Sequence, residues 1–126
     1  MHKSRLAGFI IDCNTADLGR AAEFWSAALG LARQHLPGEE GEKYVKLLDP
    51  RGELQIEVQK VEHDSRVHLD IEADDVEAEV RRLEALGARR VKQVKTWWVL
   101  EAPTGQRFCV IRKASRSFEE QAREWP

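Results

Sequence analysis

The sequence predicts an α+β domain built from one supersecondary unit written twice. Three observations carry that reading. Asp17 to Gly30 reads DLGRAAEFWSAALG and Asp75 to Gly87 reads DVEAEVRRLEALG, two helical patterns that open on an acid and close on -ALG. Downstream of each lies a turn followed by a strand pattern, DPRGELQIEV from Asp49 to Val58 and APTGQRFCVI from Ala102 to Ile111. The offsets are 58 residues at the helix starts (17 to 75), 57 at the helix ends (30 to 87) and 53 at the turn glycines (52 to 105). A near-constant offset with the same order of elements is the mark of two copies of one unit. Two such halves can face each other across a cleft, where small ligands bind.

The elements follow in order. Leu6 to Cys13 is apolar and β-branched enough for a buried strand. Asn14 to Asp17 supplies turn and N-cap chemistry. Leu18, Ala21, Ala22, Trp25, Ala28 and Leu29 then recur at helical spacing, and Gly30 suits the left-handed residue past the helix end. Gln34 to Glu42, with Pro37, Gly38 and Gly41, reads as a polar loop, Tyr44 to Leu48 as a short strand and Asp49 to Gly52 as a turn. Leu54, Ile56 and Val58 alternate with Gln55, Glu57 and Gln59, as in a half-buried strand. The second copy begins with Val67, Leu69 and Ile71 alternating with His68, Asp70 and Glu72. Asp74 can cap a helix whose apolar face is Val76, Val80, Leu83 and Leu86. Arg89 to Val94, Thr96 to Leu100 and Arg107 to Ile111 read as strands, and Pro103 to Gly105 as a turn. The modules are therefore 6–61 and 66–113 of one domain, 1–126, with a charged tail, 114–126, of a helical turn or two. Strands dominate and each helix covers one sheet face, which makes the class α+β.

The 126 residues are 42% hydrophobic and 33% charged, the balance of a folded chain. A net charge of -2 and a pI of about 6.1 argue against nucleic acid as a partner, since a phosphate-binding surface carries a basic excess. No apolar run approaches the roughly 18 residues of a membrane helix, and MHKSRLAGFIIDC lacks the features of a signal peptide. A cytoplasmic location follows, with Cys13 and Cys109 as reduced, mostly buried thiols in strands. His2, His35 and His63 fall in terminal or loop segments, where exposure is the default.

The segments NTADLGRAAEFWSAALGL, VHLDIEADDVEAEVRRLEALGA and WWVLEAPTGQRFCVI resemble the vicinal oxygen chelate superfamily, the glyoxalase/bleomycin-resistance/dioxygenase fold. The closing W-x-L-x-x-P-x-G-x-x-F-C-V is most similar to its glyoxalase-like branch. The resemblance implies two tandem βαβββ modules in an open, curled eight-stranded sheet around a cavity, and commonly a homodimer. It also implies a divalent metal held by four His, Gln or Glu residues on the first and last strands of the modules, which would polarise a substrate's adjacent oxygens. Position by position the set is incomplete. His68 stands at one ligand place and Cys109 at another. The first-strand place of module one falls on Ile10, or on Phe9 if the register slips, and its last strand offers Gln55 or Glu57 beside Ile56. No metal cofactor is therefore expected.

Alternation places the remaining candidates. Asp70 and Glu72 share the His68 face, where crowded carboxylates suit proton transfer, although Glu72 also fits a surface charge. Asp12 corresponds to Asp70 by the 58-residue offset, and an acid inside an apolar strand needs a partner. His68, Asp70 and Asp12 are the catalytic candidates. Gln55, Glu57, Arg107, Cys109 and one of the adjacent Trp97 and Trp98 are the candidate substrate walls, Arg107 for a carboxylate and the tryptophan for stacking. No histidine adjoins Cys109 in sequence to make it a nucleophile. Two functions fit: a glyoxalase-like enzyme, a lyase or isomerase acting next to a carbonyl, or a binding protein that sequesters a drug or metabolite.

Overall fold

The computed structural model describes residues 1–126. The elements are β1 (His2–Asn14), α1 (Leu18–Leu29), β2 (Ala32–His35), α2 (Gly38–Lys43), β3 (Tyr44–Leu48), β4 (Gln55–Val61), β5 (Arg66–Ala73), α3 (Val76–Ala85), β6 (Arg89–Val94), β7 (Trp97–Glu101), β8 (Arg107–Arg112), α4 (Phe118–Gln121) and β9 (Arg123–Trp125). The class is α+β, and two βαβββ runs are present, β1-α1-β2-β3-β4, with the short α2 inserted between β2 and β3, and β5-α3-β6-β7-β8. The chain forms two compact units, Phe9–Val67 and Met1–Gly8 with His68–Pro126, so β1 contributes to both.

In the unit of residues 9–67 the strands run β2-β3-β4-β1. α1 starts where the Asp17 carboxylate accepts the Arg20 N–H, and it ends at Gly30, whose φ of 69° is the left-handed conformation that glycine adopts without strain. Its apolar face packs Ala22, Leu18, Ala21 and Trp25 onto Val45, Leu47, Ile56 and Val58. Leu29 is left 45% exposed, because the packed stripe rotates away from the last turn. The turn before β4 is held by Asp49, whose carboxylate accepts the N–H groups of Leu54, Arg51 and Glu53, and these bonds hold it below its ordinary range. The polar loop expected at 34–42 holds structure instead. β2 pairs Ala32–His35 with Val45–Leu48, and all four of its residues are exposed, so no alternation marks it. α2 is a single helical run with Glu39 and Glu40 in its first turn and Lys43 in its last, charges that complement the helix dipole.

In the other unit the strands run β1-β5-β8-β7-β6. β5 and β8 are parallel, and β6/β7 and β7/β8 are antiparallel. α3 packs Val76, Val80 and Leu83 against Ala73, Leu100, Val110, Trp98 and Phe108. The residue that caps α3 is Asp75, which accepts the Ala78 N–H. Asp74, expected in that role, instead accepts the Lys3 N–H and anchors β1. Gly87, at φ 110°, sits where a Cβ would come within 3.0 Å of the Pro103 ring. Leu86 is 68% exposed, since the helix has already ended at Ala85. Val67 and Leu69, expected to be buried under the helix, are 57% and 50% exposed, because α3 crosses β8, β6 and β7 instead.

The largest departures lie in the termini. β9 pairs antiparallel with β1, aligning His2 with Trp125 and Ser4 with Arg123. The Trp125 indole N–H donates to Ser4 Oγ at 2.8 Å, and the Arg82 guanidinium stacks on its ring at 3.8 Å. Phe118 is buried. His2 is not exposed; its Nε2 lies 2.8 Å from the fully buried Glu79, which also takes a two-bond fork from Arg82. Glu72 is fully buried as well, accepting the Ala114 and Ser115 N–H groups at 2.7 and 3.0 Å with Arg5 3.6 Å away. The three-residue strand carries no local sequence signature, and of the carboxylates' partners Arg82 is local while His2, Ala114 and Ser115 lie 42 or more residues away.

Burial raises the Glu79 carboxyl, but the hydrogen bonds from Arg82, His2 and Ser4 outweigh it and hold the group below its ordinary 4.5. A depressed carboxyl stabilises the fold above its unfolded value, and that stability is lost as pH falls through the folded one. Glu79→Ala should cost about 3 kcal/mol at neutral pH, from the buried partners it strands. Glu79→Gln should flatten the loss of stability below about pH 4.5 in denaturant titrations. Trp125→Ala should cost about 1–2 kcal/mol in the same assay, from the lost stacking and hydrogen bond.

Candidate functional site

The strands of each unit present one face to its helix and one away from it, and the candidate residues can be located on these faces by strand alternation. In the unit of residues 1–8 and 68–126, Trp98, Leu100, Phe108 and Val110 pack on the α3 side. Their neighbours Trp97, Val99, Glu101, Arg107 and Cys109 therefore point the other way. The pairing register sets Asp70 beside Cys109 and Ile71 beside Val110, so His68 and Asp70 join the same face. The parallel β5/β8 ladder thus brings together residues 39 and 41 positions apart in sequence.

His68, Asp70 and Cys109 converge, with a ring nitrogen, a carboxylate oxygen and Sγ all within 4.8 Å of one another. His68 Nε2 lies 3.5 Å from Asp70 Oδ1, and the two side chains are 15% and 16% exposed. Arg107, two residues before Cys109, is not idle. Its Nε donates to Glu101 Oε1 at 3.1 Å, while Arg89 Nε donates to the other Glu101 oxygen at 2.9 Å. The two guanidinium groups, Arg89 first, hold the Glu101 carboxyl below its ordinary range. Glu101 was not among the sequence candidates. Its signal was available, since it stands opposite Arg107 across the Ala102–Gln106 turn.

The tryptophan pair separates. Trp98 belongs to the helix side, where Arg90 stacks over its ring at 4.8 Å, and Trp97 to the His68 side. A groove of about 590 Å³ runs past Trp98 with Gln93, Thr96, Arg112 and Lys113 along it. It lies on the helix side and touches none of the His68 group.

Asp12, Gln55 and Glu57 belong to the unit of residues 9–67. Ile56 and Val58 pack under α1, so Gln55, Glu57 and Gln59 turn away from it. Opposite them on β3, Lys46 aligns with Glu57, and the Tyr44 hydroxyl accepts from Gln59 Nε2 at 3.0 Å. Phe9 and Cys13 pack on the α1 side, which puts Ile10 and Asp12 on the polar side. Both are almost fully buried.

The four-ligand metal set implied by the resemblance does not fit these side chains. Ile10 is apolar at the first-strand place, and Phe9 and Ile56 pack into the core. Glu72 is taken up by backbone N–H groups and Arg5. What remains is a single-unit cluster of nitrogen, oxygen and sulfur, a different donor set from His, Gln and Glu.

No curated protein matches the chain. Among solved structures, a hypothetical protein, BH1468 from Bacillus halodurans C-125, superposes with a TM-score of 0.64 at 12% identity, covering 90% of this chain and 96% of that one. Methylmalonyl-CoA epimerase from Mycobacterium tuberculosis does so with a TM-score of 0.60 at 18% identity, over 88% and 91%. An NAD-dependent benzaldehyde dehydrogenase from Legionella pneumophila also gives 0.60, at 9% identity, over 84% and 99%. Neighbours so distant and so different in activity share a fold with this chain. The model of the glyoxalase-like domain, in contrast, matches residues 8–111 directly. With its two βαβββ runs, the chain belongs to the glyoxalase-like domain family of the vicinal oxygen chelate superfamily.

Proposed function

We propose that this protein is a small-molecule enzyme, a lyase or isomerase that moves a proton at a carbon next to a carbonyl without the family's four-ligand metal set. The observation that carries this reading is the His68–Asp70 pair, 3.5 Å apart on the face opposite α3 and partly open to solvent. An imidazole can take a proton from carbon and return it near neutral pH, and a neighbouring carboxylate orients the ring. Arg107 anchors a substrate carboxylate, with Glu101 fixing the guanidinium plane. Trp97 offers an apolar wall, and Cys109 borders the reacting carbon. The family membership and the epimerase neighbours agree with proton chemistry of this kind.

A second reading, a non-catalytic binder of the bleomycin-resistance type, draws on Ile10, which removes a ligand place, and on Trp97, which gives a stacking surface on the face of β7 away from α3. Exchange of solvent deuterium into small aldehydes, 2-oxo acids and acyl thioesters, followed by NMR, separates the two. His68→Ala should lower exchange by about 10²-fold or more while a bound ligand still raises the melting midpoint. Arg107→Ala should weaken binding of carboxylate-bearing compounds. Exchange unaltered in His68→Ala rejects the enzymatic reading.

The protein is further proposed to be a cytoplasmic homodimer. Its free sheet edges are poor docking strands, because β2 is only four residues long and β6 carries Arg89, Arg90, Lys92 and an irregular register. Trp125 already packs within its own chain and needs no partner. Contact through sheet or helix faces is expected instead. Sedimentation at micromolar concentration should give twice the 14.4 kDa chain mass, and a monomer alone rejects the dimer.

A further inference from the structure

The two cysteines are both thiols, and their surroundings differ sharply. Cys13 packs against the core of its unit. Burial pushes its thiol up, the Trp25 hydrogen bond opposes that, and the Asp12 charge adds to it. Cys109 faces away from α3, beside Asp70 in the parallel ladder, with His68 and Asp70 within 4.8 Å. Also on this face of the unit are Val99 directly opposite on β7 with Trp97 beyond it, Glu72 held by Arg5 and backbone N–H groups, and Arg107 held by Glu101.

We propose that Cys109 is a nucleophilic thiol served by His68, with Asp70 positioning the ring, and that it adds reversibly to small aldehydes. A thiolate and an imidazolium attract each other, and the carboxylate offsets the ring's charge, so the three groups together favour transfer of the sulfhydryl proton to the ring. The 3.5 Å from His68 Nε2 to Asp70 Oδ1 is ion-pair distance, at which the carboxylate favours a protonated ring. In the step itself, the Sγ–H proton passes to the imidazole and the Sγ–C bond forms. The carbonyl π pair moves onto oxygen, which takes the proton back from the ring. The product is a hemithioacetal, and no oxidant, reductant or leaving group is required. All three side chains are partly exposed.

The test is alkylation by iodoacetamide at pH 6, with both cysteines mapped by mass spectrometry. At that pH a histidine-paired thiol reacts about tenfold faster than an ordinary one, after its lower intrinsic nucleophilicity is counted. Cys109 should therefore react about tenfold faster in the folded chain than in the same chain in urea, and faster than folded Cys13. Acetaldehyde should slow it. His68→Gln should remove most of the advantage and Asp70→Asn part of it. Both should move the midpoint of the rate–pH profile upward, which a purely structural role would not do. Three results overturn the proposal: a folded rate no higher than the urea rate, a His68→Gln rate equal to that of the native chain, or slow alkylation relieved by EDTA with stoichiometric zinc found by elemental analysis. The last would make the same three donors a metal centre. The folded-against-urea comparison needs no variant, so a misfolded mutant does not block the answer. No substrate is used, so the result stands apart from the outcome of the deuterium exchange.

Discussion

Two fully buried carboxylates, Glu72 and Glu79, organise the unit of residues 1–8 and 68–126. A buried anion is costly unless it is paired and hydrogen-bonded, and here the partners come from both ends of the chain. Glu79 on α3 takes His2 from the first strand and Arg82 from its own helix. Arg82 in turn carries the ring of Trp125. Glu72 on β5 takes the backbone of Ala114 and Ser115 just beyond β8 and faces Arg5 of β1. The termini are thus fixed to the second βαβββ run by charge, and β9 completes the attachment through its ladder with β1. Removing either carboxylate strands several partners at once, which is why such groups weigh more than their number suggests.

The parts of the fold that could be read from sequence are those decided within one helical turn or one strand. The Asp17 cap, the Gly30 terminus and the Asp49 turn are local hydrogen-bonding problems with local solutions, whereas the cap of α3 falls on Asp75, one residue past the expected Asp74. The row Ile56 and Val58 declared its helix-facing side by period alone. The illegible parts are those decided by partners far away. β2 has four exposed residues and exists because β3 offers it a ladder. His2 is buried because Glu79 lies 77 residues on. Val67 and Leu69 alternate as a buried strand should, yet stand outside the footprint of α3, and alternation says nothing about how far a helix reaches.

The candidate site was half-legible for the same reason. Alternation alone put His68 with Asp70 and Arg107 with Cys109, and both pairings hold in the structure. What alternation could not supply was which strands adjoin. The absence of a sequence-adjacent histidine counted against a chemical role for Cys109, but β5 and β8 are neighbours in parallel and bring His68 and Cys109 onto one small patch. Likewise the guanidinium of Arg107 looked available until the β7/β8 register set Glu101 across from it.

The alternation that builds the core also frees the chemistry. On β8, Phe108 and Val110 are committed to packing under α3, while Arg107 and Cys109 between them are not. On β5 the division comes late: Ala73 packs under the helix, but His68 and Asp70 lie where the core makes no demand. A side chain on the open face can therefore change its donor type with little cost to packing. On the Phe9–Val67 side this freedom is narrower, since Ile10 is nearly inaccessible and a polar ligand placed there would need its own buried partner. The candidate chemistry proposed for this chain accordingly lies on β5 and β8, where a nitrogen, an oxygen and a sulfur share one surface.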